Sequence, residues 1–185
     1  NSSCAKETLA AVKSLQEQGA QKLIFDVRNN PGGYVSEMLE VLDYLLPEGT
    51  LFRQEDYLGR QYTENSDADC LELPMAVLIN GNSYSAAEFF AAAMAEYDAA
   101  VVVGQPTTGK GYFQNTFELS DGSAVNLSTG KYYTPNGISL AGVGLTPEHE
   151  VAVDDWTAYY IAVDALEPEE DPQIMAAVNA LKSAN

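Results

Sequence analysis

Histidine is almost missing from this chain: one residue, His149, in 185. It lies in Thr146-Pro147-Glu148-His149-Glu150, a charged, turn-rich segment that reads as surface. A Ser-His-Asp triad needs a well-placed imidazole, and a zinc site of the usual kind needs several Cys or His ligands. Cysteine is scarce too. Cys4 and Cys70 cannot make a disulfide framework; they leave a single bridge open, and neither has metal-ligand spacing to the other or to His149. Lysine and arginine total 9 against 27 acidic residues, a net charge of −18. Such a surface repels phosphates, which excludes nucleic acid and anionic lipid as partners. No apolar run reaches the roughly 18 residues of a membrane span. The chain starts Asn1-Ser2-Ser3-Cys4, without an initiator methionine or a basic leader, and the expectation is a fragment or processed product.

What is present is an ordinary globular composition, 46% hydrophobic and 19% charged, sized for one core. Leu9, Val12 and Leu15 predict a helix over Ala5–Gln18, with Ser3 as cap and Gly19 as stop. Leu23–Val27 reads as a buried strand, and the turn Arg28-Asn29-Asn30-Pro31-Gly32-Gly33 leads to a helix over Ser36–Leu46. The rhythm repeats at Met75–Ile79, Asn80–Tyr84 and Ser85–Tyr97, as in a parallel α/β sheet whose strand-end loops carry function. Between the two units, Thr50–Gln54 and Tyr57–Thr63 are strand-like and Glu64–Asp69 reads as loop. Beyond the strand Ala100–Val103, short strands are predicted at Tyr112–Leu119, Ala124–Ser128 and Lys131–Tyr133, with Asp121-Gly122 and Asn136-Gly137 as hairpin turns. A helix over Asp154–Leu166, an acidic linker at 167–172 and a last helix at Gln173–Leu181 close a single domain.

Two stretches carry chemistry. In Asn80-Gly81-Asn82-Ser83-Tyr84-Ser85-Ala86-Ala87-Glu88, Ser85 stands where a strand turns into a helix, beside N–H groups that no helical carbonyl uses. Glu88, three residues on, fits a capping box that reaches back to the Ser85 backbone. In Thr108-Gly109-Lys110-Gly111, one lysine is held between two glycines. A serine hydroxyl needs a base to become a nucleophile, and an amine serves only when neutral, a form that burial favours. Ser85 is therefore read as nucleophile and Lys110 as base. Asn80 and Asn82 read as loop-bracing groups, Asp26 and Arg28 as a structural pair, and Tyr132 and Tyr133 as core or cleft-lining aromatics.

Four blocks occur in order: Phe25 to Gly33, Asn80 to Glu88, Val103 to Gln114, and Asp121 to Gly137. Together they resemble the catalytic core of the C-terminal processing, or tail-specific, serine peptidases. The departures fall on neighbours: the serine tetrad reads Ser85-Ala86-Ala87-Glu88, and Thr108 precedes the Gly-Lys-Gly turn. The resemblance implies the stacked α/β fold of the Clp protease and crotonase group, parallel βα units followed by antiparallel hairpins. It implies a Ser85–Lys110 dyad, with Gln114 orienting the amine, and an oxyanion hole from Ala86 and a glycine, Gly32 or Gly33. No cofactor or metal is implied. The expected substrates are proteins with flexible C-terminal tails, met outside the cytoplasm, and the PDZ domain that often precedes such a core is not in this chain. The alternatives are a non-catalytic binding module on the same fold and an acyl-CoA hydratase or isomerase.

Overall fold

The computed structural model describes residues 3–183. In chain order the helices are α1 (Cys4–Glu17), α2 (Val35–Leu45), α3 (Ala86–Glu96), α4 (Asp155–Ala162) and α5 (Pro172–Ser183). The strands are β1 (Leu23–Asp26), β2 (Gly49–Asp56), β3 (Gln61–Ser66), β4 (Met75–Ile79), β5 (Ala100–Gly104), β6 (Tyr112–Glu118), β7 (Ala124–Tyr133) and β8 (His149–Glu150). One sheet is parallel, in the order β1-β4-β5-β8; the other is antiparallel, in the order β3-β2-β7-β6.

The parallel sheet follows from β4. All five of its residues are buried, as a central parallel strand covered on both faces demands. Alternation then divides the core. Met75, Val77 and Ile79 join the cluster built by α2, α3 and the antiparallel sheet, whereas Ala76 and Leu78 face Ala177 and Leu181 of α5. Helix α2 presents Met38, Val41, Leu42 and Leu45, an i, i+3, i+4, i+7 stripe, and ends where Leu46 turns extended before Pro47. Helix α3 is buried continuously from Ala86 to Met94, and its alanines let it lie close to β4 and β5.

Several sequence expectations shift. Ser3 takes the cap position of α1, but its hydroxyl donates to Glu7 Oε1 (2.7 Å) and makes no cap hydrogen bond. Tyr57–Arg60 is the β2–β3 turn, not strand: the Asp56 carboxylate accepts from the N–H groups of Leu58 and Arg60 and from Arg60 Nε. Residues 64–66, expected as loop, belong to β3. The strand is exposed except at Ser66, so no apolar alternation marks it. The two short strands expected after Ala124 are one, β7, with an irregularity where Phe113 pairs Gly130 and Gln114 pairs Ser128. Helix α4 is shorter than expected, capped by Asp154 Oδ1 accepting from Thr157 N and ending before Asp164 at φ +53°. Cys4 and Cys70 are both free.

The segment read as an acidic linker ends in a buried anchor. Asp171 is 2% exposed and meets Arg28 Nη1 at 2.7 Å, while Arg28 Nη2 meets Asp26 at 2.6 Å. Gln173 adds its Oε1 to Arg28 Nη1 and donates Nε2 to the Val151 carbonyl. Burial disfavours the charged guanidinium, yet the bonds and charges of Asp26 and Asp171 outweigh it and raise its pKa. The other Asp171 oxygen caps α5, accepting from Gln173 N and Ile174 N. The C-terminal helix is thereby fastened to the loop that follows β1. Asp171→Ala removes a buried ion pair and a helix cap together. The expected loss is about 3–5 kcal/mol, read as a lower urea midpoint with an unchanged slope, and Asp171→Asn loses less.

Candidate active site

The loops after β1, β4 and β5 all emerge at one end of the parallel sheet. Side-chain amides brace the first two. Asn80 Oδ1 accepts from Asn29 N (3.0 Å), and the amides of Asn80 and Asn82 both donate to Asn29 Oδ1 (3.1 and 3.0 Å). Ser83 is fully buried; its hydroxyl donates to the Val27 carbonyl (2.7 Å) and accepts from Asn80 N. That bonding leaves Ser83 as a tie between loops and Ser85 as the serine at the turn.

Ser85 has φ +59° and ψ −130°, a conformation that costs a non-glycine residue about 1–3 kcal/mol. It forms the N-cap of α3, and the next residue, Ala86, opens the helix with an N–H that no preceding turn can satisfy. Gly32, at φ +82°, lies against this corner. A Cβ placed there would come 2.8 Å from both Ala86 N and the Tyr84 carbonyl oxygen. Of the two candidate glycine donors, Gly32 already gives its N–H to Asn30 Oδ1 (2.9 Å), and the Gly33 N–H has no partner among the described residues.

Glu88 is the centre of the arrangement. It is 0% exposed, and both its oxygens are used twice. Oε1 accepts from Ser85 N (2.9 Å) and Lys110 N (2.6 Å); Oε2 accepts from Thr107 Oγ1 (2.7 Å) and Gly109 N (2.9 Å). The bond to Ser85 is the one the capping box predicts. The other three join the Ser85 turn to the Lys110 turn, and the sequence does not predict them. Their only sequence signal is an acid inside an otherwise apolar helical run, Ala86-Ala87-Glu88-Phe89-Phe90, with no exposed face to occupy.

The side chains of Ser85 and Lys110 are half-buried and are not bonded to each other. Lys110 Nζ lies over the Tyr84 ring, 5.8 Å from its centroid. Ser85 Oγ instead meets Tyr132 Oη at 3.0 Å. Gln114 is not brought to Lys110. Its Nε2 donates to the Tyr112 carbonyl (3.0 Å) and Ser128 Oγ, and Lys110 precedes β6, so the strand alternation that would align them does not span both. His149 is exposed beside Glu148. A cavity of about 350 Å³ opens next to Gly32, Gly33 and Ala86, walled by Phe25, Val27, Met38, Val41 and Phe90.

Among the described residues no helix is long and apolar enough to cross a membrane. The model of peptidase family S41 matches residues 1–151. The carboxyl-terminal-processing protease of Synechocystis is 37% identical over 148 residues, which is 79% of this chain and 34% of the relative. The chloroplastic carboxyl-terminal-processing peptidase 2 of Arabidopsis thaliana is 34% identical over 80% of the chain and 30% of its own length. The chain thus spans about a third of the curated relatives it matches. Among solved structures, the photosystem II D1 C-terminal processing protease superposes with a TM-score of 0.76 at 31% identity, over 82% of this chain and 40% of that one. The two stacked sheets accordingly have the fold of the Clp protease and crotonase group. With its fold, its blocks and its relatives in agreement, the chain belongs to peptidase family S41.

Proposed function

We propose that this chain carries the acyl-transfer centre of a serine endopeptidase that cuts protein substrates near flexible C-terminal tails, outside the cytoplasm. The observation that carries the proposal is the corner at Ser85: a strained serine at the mouth of a buried helix, with Gly32 pressed against the following peptide and the Ala86 N–H unused. Strain of this kind persists where the surroundings over-determine it.

The chemistry proceeds as follows. Lys110 swings from the Tyr84 ring and takes the Ser85 hydroxyl proton as Oγ attacks the scissile carbonyl carbon. Negative charge develops on the carbonyl oxygen, and the N–H groups of Ala86 and Gly33 receive it. Gly32 shapes that hole but is already committed to Asn30. The C–N bond breaks, Lys110 returns the proton to the leaving amine, and the acyl group stays on Oγ. Water then attacks, giving its proton to Lys110, and Oγ leaves with a proton restored. No metal or cofactor takes part. The apolar cavity beside Gly33 accepts a non-polar side chain next to the scissile bond. Gln114 fills its orienting role only by leaving the Tyr112 carbonyl.

A fluorophosphonate probe read by intact mass tests the proposal. The parent is expected to gain one adduct, and Ser85→Ala and Lys110→Ala none. A folded parent that never labels would favour the non-catalytic binding module. Labelling that survives in Ser85→Ala would move the nucleophile elsewhere.

Gly32→Ala tests the oxyanion corner. Its Cβ meets backbone atoms that cannot yield, and labelling is expected to fall at least about a hundredfold, the scale of a lost oxyanion donor. Gly59→Ala is the control: it bears a similar positive φ (+76°) in open space and is expected to label like the parent.

A further inference from the structure

Among the described residues, Tyr132 is the one side chain bonded to the Ser85 hydroxyl, and nothing in the mechanism above uses it. The phenol is not there by accident of an exposed rotamer. Tyr132 is 3% exposed, and its ring is held edge-on to Phe89 (centroids 4.4 Å apart) and beside Phe52 (5.6 Å). Phe89 belongs to the same helix that Ser85 caps, so phenol and nucleophile are positioned from one rigid packing unit. A buried phenol needs a partner, and Ser85 Oγ is the partner it has.

The direction of the bond follows from acidity. A phenol is a much stronger acid than an aliphatic hydroxyl, so Tyr132 O–H donates and Ser85 Oγ accepts. That direction leaves the serine's own proton free for a base. Burial, only partly offset by the Ser85 bond, raises the phenol's pKa, and the nearby Glu88 charge raises it further; both keep the proton on Tyr132.

We propose that Tyr132 is a further catalytic residue, donating a hydrogen bond to Ser85 Oγ as charge gathers on that oxygen. The proposal rests on Ser85 being the nucleophile. The bond fixes the serine rotamer in the resting enzyme. It strengthens when the Oγ–H proton moves to Lys110 and the Oγ–carbon bond forms, because the acceptor then carries more charge. It strengthens again when that bond breaks and Oγ departs from the acyl-enzyme. Tyr132 keeps its own proton throughout, so the proton balance between Ser85, Lys110 and the leaving amine is unchanged.

The test is the rate of fluorophosphonate labelling against pH for the parent, Ser85→Ala, Tyr132→Phe and a variant with 3,5-difluorotyrosine at position 132 alone. Tyr132→Phe keeps the ring among Phe52 and Phe89, and its melting temperature checks the packing. It is expected to label at least about tenfold more slowly, in the range of a lost donor to a developing charge. The difluorophenol ionises at lower pH and then cannot donate, so the high-pH limb of its profile is expected to move down. A merely structural tyrosine would move neither. Tyr132→Phe labelling at or above the parent rate, or an unmoved limb, overturns this inference while the Ser85 reading stands. A parent that does not label, or a Ser85→Ala variant that does, overturns the Ser85 reading and this inference with it.

Discussion

One buried carboxylate holds the site together. Glu88 accepts four hydrogen bonds, from three backbone N–H groups and one hydroxyl, and these come from the ends of two different parallel strands. The turn after β4 and the turn after β5 also meet through Thr108, whose N–H donates to the Ser83 carbonyl and whose hydroxyl donates to the Gly81 carbonyl. With Glu88, Ser85 and Lys110 are fixed relative to one another through their backbones. Bonds to a carboxylate are worth more than neutral ones, about 1.5–3 kcal/mol each. A few of them offset the strain stored at Ser85. All four lone-pair sites of the carboxylate are taken by donors from the chain.

The two sheets divide the labour. The parallel sheet delivers three loops to one end, as strand-end loops of α/β sheets do. The antiparallel sheet packs Phe52 and Tyr132 onto α3 and so reaches Ser85 from the other side. A third tie comes from the C-terminal helix, through Asp171 and Gln173 to Arg28 in the loop after β1. The positions of Ser85 and Lys110 are therefore set by backbone, whereas their side chains rest on aromatic rings: Ser85 against the Tyr132 phenol, Lys110 over Tyr84.

Much of this was legible in sequence because it is local. The strand Met75–Ile79, the serine at the strand-to-helix turn and the Glu88 reach back to Ser85 all lie within a few residues of each other. The Asn80 and Asn82 bracing and the Asp26–Arg28 pair were also readable from loop composition. The rest depends on residues distant in the chain. Glu88 meets Thr107, Gly109 and Lys110 about twenty positions later, Ser85 meets Tyr132, and Arg28 meets Asp171, and no periodicity encodes such pairings. Strand β3 was missed in part for a different reason: an exposed edge strand carries no apolar alternation. Gln114 was paired with Lys110 by the resemblance, but β6 begins only at Tyr112, so no shared strand face aligns the two.

The direct test of the Glu88 clamp is amide hydrogen exchange, residue by residue, in the parent and in Glu88→Met, which fills the same space without acceptors. Exchange at Ser85, Gly109 and Lys110 should accelerate together, by about tenfold or more, while Val77 in β4 keeps its protection. If Ser85 alone accelerates and Gly109 and Lys110 exchange as in the parent, Glu88 is only a helix cap and the turns after β4 and β5 are held by other bonds.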